Sequence, residues 1–491
     1  MLPETAVRID VALETEVEPF PVKLTPERPF KVLLVGDFSG RANRAEPARA
    51  RPGPILIDRD NFDDVMARLR PELTLGTGEL KVELRFRELD DFLPDRIYEQ
   101  NPIFERLRDV RERLSDPATF AEAAAEVRSW ETGSAPPAPL SQQKASAAST
   151  LAVSAGSLLE NILQSSELGP EPEPLEPLPP ANLEMFVQEK LLPYLDPAPD
   201  PQLPDLQALV EEAAGRLMRG ILHNPSFQTL EAGWRAVFLL VRGLDTGPLL
   251  KLYILDLCKA DLTEDLEEAK SLEASALYKL LTTQTERWAV AASGFTFARM
   301  ERDARLLQQL GALMRAAGTP FLGEAGLTDF DTPEAAKLWD DLRRSSEAAW
   351  IGLLLPRFLL RLPYGKNTVP LENFSFEEMP EAPVHQQYLW GNPAFACAYL
   401  LAQTFAESGW EMRPGTHAEL RGLPLHVYEA DGEPQVQPCA EVLMSDADAE
   451  WLLDQGMMPL VSVKNEDAVR LLRFQSIAHP PAPLAGGWYA A

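Results

Sequence analysis

The chain has 491 residues, of which 45% are hydrophobic and 25% charged, a composition that excludes a wholly disordered or collagen-like protein. Its 46 lysines and arginines are outnumbered by 75 aspartates and glutamates, which gives a formal charge of −29. A chain this acidic repels phosphate backbones and its apolar runs are too short to cross a bilayer, so we expect neither nucleic-acid binding nor membrane insertion.

The first segment alternates apolar and polar residues and ends before Pro19. Its apolar positions are Val7, Ile9, Val11 and Leu13. A period of two over this length predicts a half-buried β-strand. Because a terminal strand is only marginally stable alone, we predict that it pairs with another chain or with the C-terminal domain.

Residues 1–130 predict a small α/β domain with mixed strands. The apolar runs and the alternating segments have the length of strands, and the intervening segments have helical spacing. The predicted elements, in order, are a strand at Pro29–Gly36, a strand at Ile55–Asp58, a helix at Asp60–Leu69, a strand at Leu80–Phe86 and a mostly helical stretch at Pro94–Leu114.

A stretch rich in proline, serine and alanine follows at residues 131–205 and predicts an extended linker. Within it, residues 157–164 have apolar side chains at helical spacing, which predicts a short docking helix. The apolar side chains are those of Leu158, Leu159, Ile162 and Leu163. Two interpretations stay open, because this stripe either docks on a partner or packs back on the C-terminal domain.

Residues 206–491 predict a second, larger α/β domain, in which helical periodicity alternates with short apolar strands. The predicted helices are Leu206–His223, Asp303–Ala317 and Ala394–Ser408. The predicted strands are Lys251–Leu255, Trp288–Ser293, Trp350–Leu355 and Pro459–Val463. The sequence therefore predicts the α/β class, with two mixed α/β layered domains joined by a proline-rich linker.

Few residues are arranged for catalysis or for metal binding. The five histidines have no HxxxH or HxH spacing and the three cysteines form no CxxC pair, so we predict no metal, no cofactor and no catalytic residue. The turn Gly36–Arg41 follows a strand as a phosphate loop would, but it lacks both GxGxxG and the Walker ending. We interpret it as a structural turn, with a nucleotide- or phosphate-using enzyme as a remote alternative.

Two aromatic-rich motifs are denser than a solvated surface needs. The first motif, Pro356–Gly365, contains Arg357, Arg361 and Tyr364. The second motif, Tyr388–Phe395, contains Trp390. Arginines among apolar residues need acidic partners or backbone carbonyls once they are packed. The motifs are therefore either core and turn structure or an intersubunit surface, where arginine, tryptophan and tyrosine are common anchors.

Five motifs, in order between residues 206 and 478, resemble the large sheath subunit of bacterial type VI secretion systems (TssC, or VipB). They are Ile221–Arg235, Pro356–Gly365, Tyr388–Ala396, Gly422–Tyr428 and Pro459–Asn465. The resemblance adds Trp234 and Arg235 to the candidate packing or interface residues.

The N-terminal region resembles the small sheath subunit (TssB, or VipA) at its first strand, at Pro29–Arg41, at Ile57–Phe62 and at Leu84–Phe92. Together the two resemblances imply a natural fusion of a small and a large sheath subunit. The helix predicted at 157–164 is similar to the large-subunit helix that a ClpV-type AAA+ ATPase recognises when it recycles contracted sheath.

The resemblance implies a cytoplasmic structural protein, not an enzyme, whose protomers stack into a contractile sheath that propels an inner tube. The implied partners are other sheath subunits, the inner tube protein, the baseplate and the ClpV-type ATPase. Family large subunits usually continue past the stretch resembling Leu460–Asn465, with strands that knit protomers into a mesh, whereas this chain ends soon after it. The alternative is therefore a sheath-like adaptor or baseplate-associated accessory of the same apparatus.

Overall fold

The computed structural model describes residues 28–44, 53–76, 82–131, 200–283, 287–326, 330–380, 382–430 and 432–489. These residues form two compact units. The first unit draws on the chain up to Asn101 and from Met218 onward, and the second unit is Pro102–Leu217. Both units therefore contain residues from either side of the 132–199 stretch.

The strands all belong to the first unit. In chain order they are β1 (Phe30–Gly36), β2 (Ile55–Ile57), β3 (Glu72–Leu75), β4 (Val82–Arg85), β5 (Leu250–Asp256), β6 (Val290–Phe297), β7 (Phe321–Ala325), β8 (Ile351–Leu355), β9 (Phe358–Leu359), β10 (Trp390–Gly391), β11 (Glu419–Arg421), β12 (His426–Ala430), β13 (Glu433–Gln437), β14 (Met458–Ser462) and β15 (Ala468–Leu471). Nine of them form one sheet in the order β11-β15-β14-β8-β7-β6-β1-β5-β2. The six strands from β14 to β5 are parallel to their neighbours, and β2, β15 and β11 are antiparallel additions at the two edges.

The helices, in chain order, are α1 (Arg41–Arg44), α2 (Phe62–Leu69), α3 (Pro94–Gln100), α4 (Glu105–Ser115), α5 (Phe120–Glu131), α6 (Leu203–Leu222), α7 (Pro225–Gly243), α8 (Lys259–Glu268), α9 (Ala276–Thr282), α10 (Glu301–Ala317), α11 (Pro333–Arg343), α12 (Pro393–Ser408) and α13 (Asp446–Asp454). Leu33 and Val35 of β1 enter a core that α8, α9, α10 and α11 share. Phe30 stacks instead on Phe405 of α12, with ring centroids 4.7 Å apart. Since side chains alternate across a strand, helices cover both faces of the sheet.

Strand β1 lies in the middle of the sheet, although it comes from the N-terminal region. It pairs in parallel with β5 from Phe30↔Leu250 to Gly36↔Asp256, and with β6 from Val32↔Val290 to Val35↔Ser293. The predicted division into domains at 1–130 and 206–491 therefore needs correction. Both stretches contribute strands to one sheet, because a parallel strand with two apolar faces needs a neighbour on each edge and helices on each side.

The second unit is a small helical cluster formed by α4, α5 and the first turns of α6. Its core contains Val110, Leu114, Ala123, Val127 and Leu206. The guanidinium of Arg113 bridges α4 and α5, since its Nε is 2.8 Å from Asp109 and its Nη2 is 2.6 Å from Glu126. The N-terminal helices thus find their apolar partner beyond the 132–199 stretch.

The predicted α/β class is confirmed, and the predicted elements of the described residues are present with small shifts at their ends. The helix predicted at Leu206–His223 is α6, and the strand predicted at Trp288–Ser293 is β6. The stretch predicted as mostly helical at Pro94–Leu114 contains α3 and α4.

Truncating Leu34 in β1 should destabilise the full-length chain. Leu34 is fully buried, so Leu34→Ala should lower the free energy of unfolding by about 2–5 kcal/mol through lost apolar transfer and a residual cavity. Equilibrium urea unfolding, followed by tryptophan fluorescence, measures the change. Leu443→Ala is the matched control, since Leu443 is 79% exposed, and it should change stability by less than about 0.5 kcal/mol. Equal effects of the two substitutions would contradict a central, buried β1.

Candidate functional site

Two of the predicted interaction elements lie outside the described residues and stay predictions. They are the strand and the docking helix, with the residues Val7, Ile9, Val11, Leu13, Leu158, Leu159, Ile162 and Leu163. The six predicted packing or interface residues are all described, and all belong to the first unit.

Trp234 of α7 fixes the turn that follows β1. Its indole is fully buried, and Nε1 donates a hydrogen bond of 2.8 Å to the carbonyl oxygen of Phe38. The rings of Phe38 and Phe62 meet the indole edge-on, at centroid distances of 5.6 and 5.7 Å. Because Phe38 and Phe62 come from the N-terminal region, Trp234 ties that region to the C-terminal one.

Arg361 is the centre of a buried ionic cluster. Its Nη1 and Nη2 donate to the two carboxylate oxygens of Glu378 at 2.7 and 3.0 Å, and its Nε donates to Glu231 at 2.9 Å. Arg235, one helical turn after Glu231, donates to the same Glu231 oxygen at 2.7 Å and to the Tyr364 hydroxyl at 3.1 Å. These five residues are named the Arg361 cluster.

The Arg361 cluster balances two arginines against two glutamates. Burial alone raises the pKa of the Glu378 carboxyl, but the charge of Arg361 outweighs it, together with hydrogen bonding to His223, Arg361 and the Tyr364 backbone, and the pKa falls to about 2. Burial also raises the pKa of Tyr364 to about 12, so its hydroxyl is neutral at physiological pH. The Tyr364 backbone N–H donates to Glu378 at 2.8 Å. The cluster therefore fastens the irregular segment 360–380 to α7.

Arg357 forms a second ion pair just after β8. Its Nε and Nη2 donate to the two carboxylate oxygens of Glu441 at 2.9 and 2.6 Å. His385 Nε2 lies 2.9 Å from the same carboxylate. The Trp390 ring stacks on His385 with centroids 5.5 Å apart, and its Nε1 donates to the His385 carbonyl at 2.9 Å. Both packed arginines thus have an acidic partner, which is one of the two kinds of partner expected from the sequence.

The described residues support the packing interpretation of these side chains, and the intersubunit interpretation stays a prediction. Trp234, Arg361, Tyr364 and Trp390 are buried within the chain, and Arg235 and Arg357 are partly buried beside them; their carboxylate and ring partners are intramolecular. A sequence motif rich in arginine and aromatic residues is found both in buried ionic clusters and at the anchors of protein interfaces. The sequence motif alone therefore could not distinguish the two.

Two backbone N–H groups of the turn Gly36–Arg41, those of Ser39 and Arg41, are hydrogen-bonded to carboxylates. Asp37 accepts hydrogen bonds from the backbone N–H groups of Arg41 and Ala42 at 2.8 and 2.9 Å. Asp256 accepts from the Ser39 N–H and hydroxyl at 3.0 and 2.7 Å. Gly40 takes a φ of +73°, which favours glycine. Carboxylates bind where a phosphate would bind, which supports the structural-turn interpretation.

A crevice of about 310 Å³ opens beside this turn, at the carboxyl ends of the parallel strands. Glu324, near the end of β7, lines it and accepts a hydrogen bond of 3.1 Å from the Asn392 amide. Burial raises the pKa of Glu324 to about 7, with Arg357 opposing the rise and Glu441 adding to it. Sequence reasoning missed Glu324, although one acidic residue inside the apolar strand Phe321–Ala325 was a usable signal.

The hairpin β12–β13 presents an apolar outer face. Val427 and Val436 pair across its strands and are 55% and 51% exposed. On its other face, His426 Nδ1 lies 2.7 Å from the buried Tyr388 hydroxyl. The Asp431-Gly432 dipeptide between two alternating segments is a hairpin signal that sequence reasoning did not use.

Two absences hold for the described part of the chain. It contains no group of three or more histidine, cysteine, aspartate or glutamate side chains placed to hold a metal ion. Its helices are each too short or too polar to cross a membrane.

Comparison with known proteins decides the family. The VipB family profile, described as "EvpB/VC_A0108, tail sheath N-terminal domain", matches residues 206–478, more than half of the chain. The chain belongs to the VipB tail-sheath family. A second profile, "Type VI secretion system, VipA, VC_A0107 or Hcp2", matches residues 4–129, so one chain carries both a VipA-like and a VipB-like region.

Two curated relatives from Pseudomonas aeruginosa strain PAO1 agree with this assignment. The chain is 31% identical over 290 residues to "Type VI secretion system sheath protein TssC1", covering 53% of this chain and 58% of the relative. It is 24% identical over 119 residues to "Type VI secretion system sheath protein TssB1", covering 23% of this chain and 69% of the relative. The chain thus spans less than two thirds of the VipB-like relative.

Removing one charge from the Arg361 cluster should be costly. Glu378→Gln should lower the free energy of unfolding by about 3–5 kcal/mol at pH 7, because the buried Arg361 loses a charged partner. Since the folded pKa of Glu378 is about 2, this contribution is present above the unfolded pKa and is lost as the pH falls toward 2. Urea unfolding at several pH values measures it.

The matched control is Glu466→Gln, which removes the carboxylate from the ion pair between Glu466 and Arg421. The Glu466 side chain is 41% exposed and the Arg421 side chain is 59% exposed. That substitution should cost less than about 1 kcal/mol. If Glu378→Gln costs no more than the control, the cluster does not hold segment 360–380 in place.

Glu324 should make stability depend on pH in the opposite direction. Its folded pKa of about 7 exceeds the unfolded value near 4.5, so the ionised carboxylate opposes folding at pH 8 and this cost disappears as the pH falls. Glu324→Gln should therefore raise the free energy of unfolding by about 2–3 kcal/mol at pH 8 and have almost no effect below pH 4.5. The exposed Glu334→Gln serves as the control. An effect of Glu324→Gln that is equal at both pH values would contradict the burial of its charge.

Proposed function

We propose that this chain is a structural subunit of a contractile type VI secretion-like sheath, whose contraction propels an inner tube. The observation that carries the proposal is the shared sheet. Strand β1 of the VipA-like region lies between β5 and β6 of the VipB-like region. A single chain thereby combines regions that are similar to two separate relatives, the sheath proteins named TssB1 and TssC1.

The proposed mechanism is mechanical. Protomers would stack in an extended tube, and contraction would move them to a better-packed arrangement without unfolding each protomer. The buried Arg361 cluster and the central β1 support a rigid protomer body, so that the change is confined to contacts between copies. The partners would be other sheath subunits, the inner tube protein and the baseplate, all meeting in the cytoplasm.

The strand predicted at Val7–Leu13 would link copies of the chain. Its alternation leaves one apolar face, and a strand at a chain terminus can add to the sheet of a neighbour. The exposed Val427–Val436 face and Leu443 offer further apolar surface for contacts between copies.

Assembly should be visible directly. Negative-stain microscopy of the purified full-length chain should show long helical tubes, whereas discrete particles would favour the adaptor or baseplate accessory. Deleting residues 1–18 should abolish the tubes and leave the circular dichroism spectrum and melting temperature of the protomer unchanged. Tubes that survive the deletion would contradict a linking role for the first strand.

The segment 157–164 should bind a ClpV-type AAA+ ATPase. Burying a single leucine is worth about 1.5–3 kcal/mol, so two or three apolar side chains support micromolar binding. Replacing Leu159 and Ile162 with aspartate should abolish binding in a pull-down or calorimetric titration and leave the melting temperature unchanged. The matched control replaces Ser165 and Ser166, just outside the stripe, with aspartate. A large drop in melting temperature in the first variant would show instead that the stripe is core.

A further inference from the structure

The crevice at the carboxyl edge of the sheet is a cavity that the described residues of the chain leave unfilled. It lies where β1, β5, β6 and β7 end, and its volume of about 310 Å³ is that of a small ligand site. Ligands of open α/β sheets bind outside the carboxyl ends of the strands. Gly36, Gly233 and Gly294 line the crevice, and the rings of Phe38 and Phe395 pack against them.

Four charged side chains line the crevice, the acidic Asp37 and Glu324 and the basic Lys259 and Arg357, and both basic ones already have a carboxylate partner. Lys259 is paired with Asp303 at 2.6 Å, and Arg357 is paired with Glu441 at 2.6 Å. The carboxylate of Glu324 is instead hydrogen-bonded by neutral groups, the Asn392 amide and the Thr296 side chain. Asp37, also in the wall, is bonded by backbone N–H groups. Glu324 and Asp37 thus form no direct ion pair with Lys259 or Arg357, although the charge of Arg357 lies close enough to act on Glu324.

Aromatic rings complete the wall. Phe38, Trp390 and Phe395 line the same crevice as Glu324. A ring face attracts a cation, and the attraction grows as water is excluded. A carboxylate beside aromatic rings is the combination that recognises organic cations, whereas an anion would meet Glu324 and Asp37.

We propose that this crevice binds a guanidinium or alkylammonium group, with Glu324 as its carboxylate partner. The cation would be carried by a free small molecule or by an arginine or lysine side chain of a neighbouring copy. Both sources share the same chemistry at Glu324, so one experiment tests the site and a second identifies the source.

Ligand-observed NMR on the full-length chain tests the site with n-butylguanidinium and n-butylammonium, and with neutral n-butylurea as the matched probe. We expect saturation transfer to the two cations and none to the urea. Glu324→Gln should weaken cation binding about tenfold, as expected for one charge-assisted hydrogen bond, and Glu334→Gln should leave it unchanged. Binding of the urea as tight as that of the cations, or binding that Glu324→Gln leaves intact, would overturn the proposal.

A second variant covers the case in which Glu324→Gln fails to fold. Thr229 lies exposed at the rim of the crevice on α7, so Thr229→Trp should block entry and abolish cation binding with no change of charge. Unchanged binding in a folded Thr229→Trp variant would place the cation elsewhere and overturn the proposal.

Sedimentation of the assembled chain identifies the source of the cation. This experiment rests on the proposed sheath function, because it needs a chain that assembles. If a neighbour's side chain fills the crevice, excess n-butylguanidinium and Glu324→Gln should each reduce the assembled fraction, and n-butylurea should not. If a free molecule fills it, assembly should be unaffected and the denatured protein should release a small organic cation. A chain that never assembles would contradict the sheath proposal only, because the NMR result does not depend on assembly.

Discussion

Strand β1 forms parallel ladders with β5 on one side and β6 on the other, and helices cover both of its faces. Removing it would leave the backbone N–H and C=O groups of β5 and β6 unpaired along one edge of each strand. Exposed edges of long apolar strands promote aggregation. The described part of the VipA-like region up to Asn101 is therefore a component of the same compact unit as most of the VipB-like region, not an appended domain. Trp234 strengthens the same junction through its hydrogen bond to Phe38.

The polar interior restricts the packing within the VipB-like region. The Arg361 cluster and the Arg357–Glu441 pair place three guanidinium groups in or near the core, each against a carboxylate. Such pairs add little net stability over an apolar core, but breaking one is expensive, so they restrict how the surrounding segments can pack. A rigid protomer would suit the proposed sheath, in which contraction would change the contacts between protomers.

The sequence predicted the elements better than their arrangement. The continuous apolar run Val32–Val35 indicates a strand buried on both faces, yet nothing local to it identifies β5 and β6, more than two hundred residues away, as its neighbours. Lys31 shows the same limit of sequence-based prediction, because a lysine in a strand is expected to be exposed to solvent. Here it is buried, with Nζ 4.9 Å from the Trp288 ring centroid.

The candidate site followed the same pattern. The need of Arg357 and Arg361 for acidic partners could be predicted from their apolar neighbours, because a buried guanidinium must be paired. The identity of Glu378 and Glu441 could not, since both lie in irregular segments whose course depends on tertiary packing. Glu324 was overlooked because a single acidic residue in a strand usually faces solvent. Here Glu324 lines the crevice instead.

The dependence of the whole fold on β1 can be tested by cutting the full-length chain between its two regions. A specific protease site would be inserted between residues 140 and 150, and the native protein would be cleaved there. Gel filtration and native mass spectrometry would then show whether the two fragments remain associated. The two fragments should stay together as one folded particle and separate only in denaturant. Separation in native buffer into two independently folded fragments would contradict the shared sheet.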